Sequence, residues 1–186
     1  MGDPPRRPAT YDDLCALPPN MVGQILFGVL HAHPRPAPKH ARASTTLGEE
    51  LGPPFNRGRG GPGGWVILHQ PELHLGPHVL VPDMAGWRRE RLPELPEKAY
   101  FELAPDWACE VLSPSTASLD RGDKRKVYGT FEVKHLWFVD PEARTLEVFE
   151  LETKGYRLVE VYSNDARVRA VPFDAVEIEL GALWAR

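Results

Sequence analysis

The chain has 186 residues, 42% of them apolar, which is enough for one packed domain and short for two. Its 22 Lys and Arg against 26 Asp and Glu give a formal charge of −4, which excludes a polycationic field that would hold nucleic acid non-specifically; any phosphate contact has to be local. Cys15 and Cys109 form no CxxC pair and no apolar run approaches membrane-spanning length, so a disulfide scaffold, a cysteine zinc site and a transmembrane helix are excluded, and a soluble protein of the reducing cytoplasm is expected.

Residues 1–9, rich in Pro and Arg, read as a disordered arm, and 10–186 as a single domain. Thr10 with Asp13 three positions on forms a capping box for a short helix over 11–17 that ends before Pro18. ILFGVLHAH (25–33) reads as one strand, and Pro38 opens a helix over 39–51 that stops at Gly52. NRGRGGPGG (56–64) has GxGxxG spacing, but a phosphate-cradling loop requires a helix after the glycines; here Pro62 and the strand-like WVILH (65–69) follow, so the stretch reads as a plain loop. HVLVPD (78–83) is the next strand, 84–104 a charged, Pro-punctuated loop, and DWACEVL (106–112) a further strand. Period-two alternation places Ala108, Glu110 and Leu112 on one face of that strand and Trp107, Cys109 and Val111 on the other. After the SPST turn, 120–130 reads as a helix with Asp120 at its N-cap and with Lys124 and Tyr128 on one face. HLWFVD (135–140), TLEVFEL (145–151), YRLVEVY (156–162) and two shorter runs up to Leu180 alternate as strands. Early helices, strands, one further helix and more strands make a mixed α+β fold.

Two acids stand out. Asp83 ends one strand and Glu110 lies inside an apolar one; if those strands pair, at a spacing of about 4.8 Å, their carboxylates can converge on one hard divalent ion such as Mg²⁺. Lys124 is the cation placed to orient a water there and to offset charge on a phosphoryl oxygen. The plainer alternatives are a structural ion pair of Glu110 with Lys124 or Lys126, and Asp83 as a loop cap. Arg88, Arg89 and Arg91 follow Asp83 closely and are candidates for phosphate contact, with Trp87 beside them to stack a base. His31 and His33 alternate on one strand face, a third possibility, for a histidine metal site.

The combination of Pro82-Asp83, EVLSPST at 110–116, Asp120, Lys124, Tyr128 and HLWFVDP at 135–141 resembles the Uma2 family, also known as DUF820, of restriction endonuclease-like proteins in the PD-(D/E)XK nuclease superfamily. The resemblance runs from about Tyr11 to Tyr162 and takes in YDDLCALP, GQILFGVLHAHPRP and the helix near His40. It implies a restriction endonuclease-like core, a curved mixed sheet flanked by helices with additional C-terminal antiparallel strands, and cleavage of DNA dependent on Mg²⁺, with Mn²⁺ as a substitute. It also implies that Asp83 and Glu110 are metal ligands, with the backbone carbonyl of Val111 as a third, and that the protein forms a homodimer. In the superfamily the lysine usually stands two residues after the second acid; Leu112 occupies that position here, and the resemblance moves the lysine's part to Lys124, with Lys126 in reserve. Asp120 and Tyr128 take supporting places. Relatives usually carry a glutamate where this chain has Gln24, whose amide oxygen can ligate but brings no charge. That departure keeps a second reading open, a weakly active or inactive nuclease fold serving as a nucleic-acid-binding or protein-interaction module.

Overall fold

The computed structural model describes residues 7–185. Six residues of the expected N-terminal arm lie outside that range; the next three run against the first hairpin, where the Ala9 N–H donates to the Gly28 carbonyl at 2.8 Å and Arg7 grips both carboxylate oxygens of Asp13.

Helix α1 (Tyr11–Cys15) starts at the expected capping box, Thr10 and Asp13 each bonding the other's backbone N–H. The stretch read as a single strand is instead a hairpin, β1 (Met21–Leu26) and β2 (Val29–Pro34), paired antiparallel from Met21↔Pro34 to Leu26↔Val29. Its two-residue turn is Phe27-Gly28, with φ of 51° and 76°. A turn of this kind needs two left-handed residues; Gly28 takes that conformation freely, whereas a phenylalanine gives no warning of it. Helix α2 (Pro38–Leu51) begins with Pro at its first turn, as expected, and runs into one π-helical turn at Gly52–Asn56.

Strands β3 (Trp65–His69), β4 (Leu73–Leu75) and β5 (His78–Leu80) follow, and then β6 (Met84–Arg88) occupies the start of the segment expected to be loop. Gly86 weakens the strand pattern in MAGWR, yet the fold needs it: a Cβ there would come within 3.2 Å of the Trp65 and Trp107 rings on either side. Strand β7 (Trp107–Val111) pairs antiparallel with β6, through Met84↔Cys109 to Gly86↔Trp107, so the expected pairing of 106–112 with 78–83 is corrected. β5 belongs to a separate four-stranded sheet of order β2-β1-β5-β4.

After β7 the chain forms α3 (Ala117–Leu119), a π-helical turn at Asp120–Lys124 and α4 (Arg125–Thr130), which together cross over to β8 (His135–Asp140), parallel to β7. Strands β9 (Thr145–Glu152) and β10 (Gly155–Ser163) extend the sheet antiparallel, giving a six-stranded mixed sheet of order β10-β9-β8-β7-β6-β3. A short pair, β11 (Arg167–Val168) and β12 (Ile178–Glu179), and helix α5 (Gly181–Trp184) complete the described chain.

The large sheet has an apolar cluster on each face. On one, Ala43, Leu47 and Leu51 of α2 pack with Trp65, Trp107, Cys109, Val111, Trp137 and Phe173; on the other, Val127 and Tyr128 of α4 pack with Ala108, Leu112, Leu136 and Phe138. The alternation expected for 107–112 is the one observed. Cys109 thus faces the α2 core, and burial, reinforced by nearby Asp83 and Glu110, pushes its thiol far above the usual range, which leaves it an inert packing residue. Among the described residues no helix is long and apolar enough to cross a membrane.

Candidate active site

Glu110 lies on the α4 face of β7 and is 1% exposed. An unpaired carboxylate there would be very costly, and the residues that answer it come from the crossover. The π-helical turn at Asp120–Lys124 admits one extra residue into the helix, and both of its terminal side chains, Asp120 and Lys124, are buried beside Glu110. Asp120 is therefore inside the helix, not at its N-cap as expected. The Lys124 ammonium stands 2.7 Å from Glu110 Oε2 and 3.1 Å from Asp120 Oδ1, and donates to the Val81 carbonyl at 3.4 Å. One turn further on, the Tyr128 hydroxyl donates to Glu110 Oε1.

Asp83 immediately precedes β6 and reaches the end of β7: its Oδ2 accepts the Val111 N–H at 2.8 Å and stands 3.1 Å from His40 Nε2, on the first turn of α2. Gln24, on β1, is also buried; its Oε1 accepts the Val81 N–H at 3.1 Å, and its Nε2 is 3.4 Å from His33 Nε2. Gln24, His40, Asp83, Glu110, Asp120 and Lys124 all line one cavity of about 300 Å³, walled by the first hairpin and the Ser113–Thr116 turn.

The electrostatics follow from burial. Desolvation pushes the Glu110 carboxyl up to about 8; the Lys124 charge opposes the rise, while Asp120 and Asp83 add to it. For Lys124, burial favours the neutral amine, but the attraction of Glu110, Asp120 and Asp83 outweighs it and the net shift is upward, so the ammonium persists. Burial, followed by the Glu110 charge, drives the Tyr128 phenol far up, leaving it a neutral donor. A carboxyl whose folded value exceeds its ordinary 4.5 holds a proton that the unfolded chain has released, so stability falls as pH rises from about 4.5 to about 8. The limiting slope from this one group is about 1.4 kcal/mol per pH unit. Urea unfolding without metal at pH 5 and pH 8 should therefore show Glu110→Gln gaining on the wild type at the higher pH; equal pH slopes would contradict the raised value.

Among the described residues no three His, Cys, Asp or Glu side chains form a ready metal cage. The donors around the cavity are mainly oxygens, and three carboxyl groups gather about one ammonium. That set suits a hard divalent cation, which takes one or two protein carboxylates and keeps several waters, better than it suits tetrahedral zinc. His31 and His33 gather no such set; His33 is held between Gln24 and the Pro34 carbonyl.

Other expected residues are not brought to this cavity. Lys126 is on the exposed side of α4, paired with Asp123 at 2.9 Å. Arg88, Arg89 and Arg91 lie at or beyond the opposite end of β6 from Asp83, roughly 15 Å along the strand. There Arg88 stacks over the Trp65 ring, Arg89 donates to the Asn56 and Trp65 carbonyls, and Arg91 pairs with Asp106 at 2.7 Å. Trp87 is fully buried, donates to the Leu103 carbonyl and stacks on Phe101, so no base can reach it. The residue that sequence reasoning passed over is His40, which periodicity cannot separate from the chain's other histidines.

The architecture is a mixed sheet with helices on both faces and an acid–lysine cavity at the end of its central strands. A family model described as "Uma2: Putative restriction endonuclease" matches residues 8–181, and the chain belongs to that family. A crystal structure described as a putative nuclease belonging to DUF820, from Anabaena variabilis, superposes with a TM-score of 0.72 at 22% identity, covering 95% of this chain and 98% of that one; at that identity the likeness establishes the fold. No curated protein matches the chain.

Proposed function

We propose that this protein is a DNA endonuclease dependent on Mg²⁺ or Mn²⁺, hydrolysing phosphodiester bonds at the Asp83–Glu110–Lys124 cavity. The observation that carries the reading is the buried 2.7 Å contact between Lys124 and Glu110 in a cavity that also contains Asp83, so the cation missing from position 112 is supplied by the crossover. The leading alternative, a purely structural ion pair, is a poor account of it, because a buried pair seldom stabilises more than apolar side chains of the same size would.

In this reading Asp83 and Glu110 hold the ion, with the Val111 carbonyl as the third protein ligand. The ion, when bound, polarises a phosphoryl oxygen and makes a nearby water more acidic. Asp83 is fixed for this task by the Val111 N–H and His40, both on Oδ2, which leaves Oδ1 for ligation. Tyr128 and Lys124 fix Glu110 through one oxygen each, so its orientation is set before substrate arrives. Lys124 can exchange its longest contact, to Val81, for the attacking water, and its charge offsets the negative charge that develops at phosphorus. Asp120 gives the ammonium a second carboxylate partner, which holds it in place when Glu110 also serves the ion.

A second reading, the fold retained as a binding module, is favoured by Gln24, whose oxygen is spent on the Val81 N–H and whose amide is tied to His33. Incubating plasmid DNA with the protein and Mg²⁺ or Mn²⁺ separates the two. The expected result is nicking that Asp83→Asn and Glu110→Gln each abolish. A wild type that binds DNA without cutting it, with cleavage appearing in Gln24→Glu, would transfer the conclusion to the second reading.

A further inference from the structure

With Arg88, Arg89 and Arg91 engaged at the far end of β6, another group must hold the substrate's phosphates. We infer that Arg35, with the start of α2, forms the phosphate-binding element of this site and seats the backbone phosphate next to the one being cut; this rests on the nuclease reading above.

Two cations line the active cavity among the described residues. Lys124 is already paired with Glu110 and Asp120. Among the described residues Arg35 has no carboxylate partner and one hydrogen bond, a 3.4 Å contact to the Pro19 carbonyl, which leaves most of its five N–H groups open. A guanidinium in that state suits a phosphate, which it can grip with two parallel bonds.

Arg35 stands where two cavities join. A second cleft of about 580 Å³, lined by Ser44, Thr45 and His69, shares Arg35, Pro36, His40 and Gln70 with the active cavity. A strand whose scissile phosphate lies over Asp83 and Glu110 can therefore continue past Arg35 into the second cleft, where hydroxyl and amide groups replace the carboxylates.

The start of α2 supports the same assignment. The 14-residue helix has no side-chain cap at Ala37 and no acid in its first turn, and Ala37 and His40 line the active cavity. Its open N–H groups and positive dipole end favour an anion there. His40 on the same wall is only partly satisfied: 10% of its side chain is exposed, Nε2 meets Asp83, and Nδ1 is buried with no hydrogen-bond partner among the described residues.

Fluorescence anisotropy with a short DNA duplex in Ca²⁺, followed across a salt series, tests this. Wild type should bind, Arg35→Ala should bind about tenfold more weakly, and the slope of log K against log salt should fall by about 1, as for one lost phosphate contact. Arg35→Lys should restore the slope because it keeps the charge, and Arg42→Ala, on the same helix but lining neither cavity, should match the wild type. Wild-type binding and slope in Arg35→Ala would overturn the role of Arg35 and leave the nuclease reading intact. No wild-type binding to DNA, together with no cleavage, would overturn both.

Discussion

Lys124→Met should reduce metal-dependent nicking by about 100-fold or more while the protein stays folded, the scale on which removing one preorganised donor to a developing charge acts. Methionine keeps the volume and apolar stem of the lysine, so the loss reports the ammonium and not a cavity. The same change leaves Glu110 and Asp120 without the cation that faces both, and breaking a buried pair from one side costs about 3–5 kcal/mol. The two effects separate by pH. Glu110 already sits at about 8 and loses in Lys124→Met the charge that holds its value down, so the variant keeps its proton where the wild type begins to ionise and the stability loss is smaller at pH 5 than at pH 8, whereas the catalytic defect persists at every pH. Urea unfolding at the two pH values, beside nicking rates from folded protein, checks both. Wild-type nicking by Lys124→Met would remove Lys124 from the mechanism.

The reason the lysine is not at 112 is visible in the packing. Leu112 is buried in the α4-side cluster with Ala108, Val127, Leu136 and Phe138, where an ammonium would lose its water with little to replace it. From the crossover helix, a lysine instead enters between two carboxylates and a carbonyl. Asp120 and Lys124, four residues apart across the π-helical turn, share its inward face, and Tyr128 follows four further on.

What the sequence made legible follows periodicity closely. Strands β3, β7, β8, β9 and β10 and helix α2 emerged from apolar spacing and capping residues, and the alternation of 107–112 correctly set Glu110 apart from Cys109. Periodicity failed where one residue did an unusual job. Phe27 hides a hairpin turn because large side chains rarely take a positive φ, and Gly86 hides β6 because its purpose is to let two tryptophans close on the backbone. Missing β6 gave β7 the wrong neighbour, although Asp83 still arrives beside Val111 because it precedes β6 directly. The pairing of Glu110 with Lys124 came from the lysine's place on the helix that follows the strand and from the family resemblance, and from no spacing rule. His40 and Arg35 were beyond local reasoning, since their meaning depends on α2 and the segment before it folding against a loop more than 40 residues later.

Phe173→Ala is expected to be the most destabilising single change outside the site, by about 3–5 kcal/mol, although it lies in a segment that reads as unremarkable in sequence. Its ring, fully buried, sits at the centre of four others: Phe55 after α2 at 4.7 Å between centroids, Trp65 on β3 at 4.8 Å, Trp107 on β7 at 4.9 Å and Trp137 on β8 at 5.6 Å. The pairs with Trp107 and Trp137 meet edge against face and those with Phe55 and Trp65 are tilted at 56°; aromatic pairs of this kind are worth about 0.5–1.5 kcal/mol each beyond the area buried. The neighbouring backbone is tied down as well, the Val171 carbonyl accepting from Trp137 Nε1 at 2.8 Å, so the gap left by alanine cannot close by letting the segment sink onto the sheet. Phe173→Leu retains part of the volume and should cost less. Urea unfolding with an unchanged m-value measures both, and a loss below about 1 kcal/mol for the alanine variant would mean that the C-terminal segment merely covers the sheet. Because β7 carries Trp107 toward this hub and Glu110 toward the opposite face, Phe173→Ala should also leave the nicking rate of folded protein near the wild-type value well below its melting temperature. Lys124→Met should do the opposite, losing activity while folded, and the contrast assigns stability to one face of β7 and chemistry to the other.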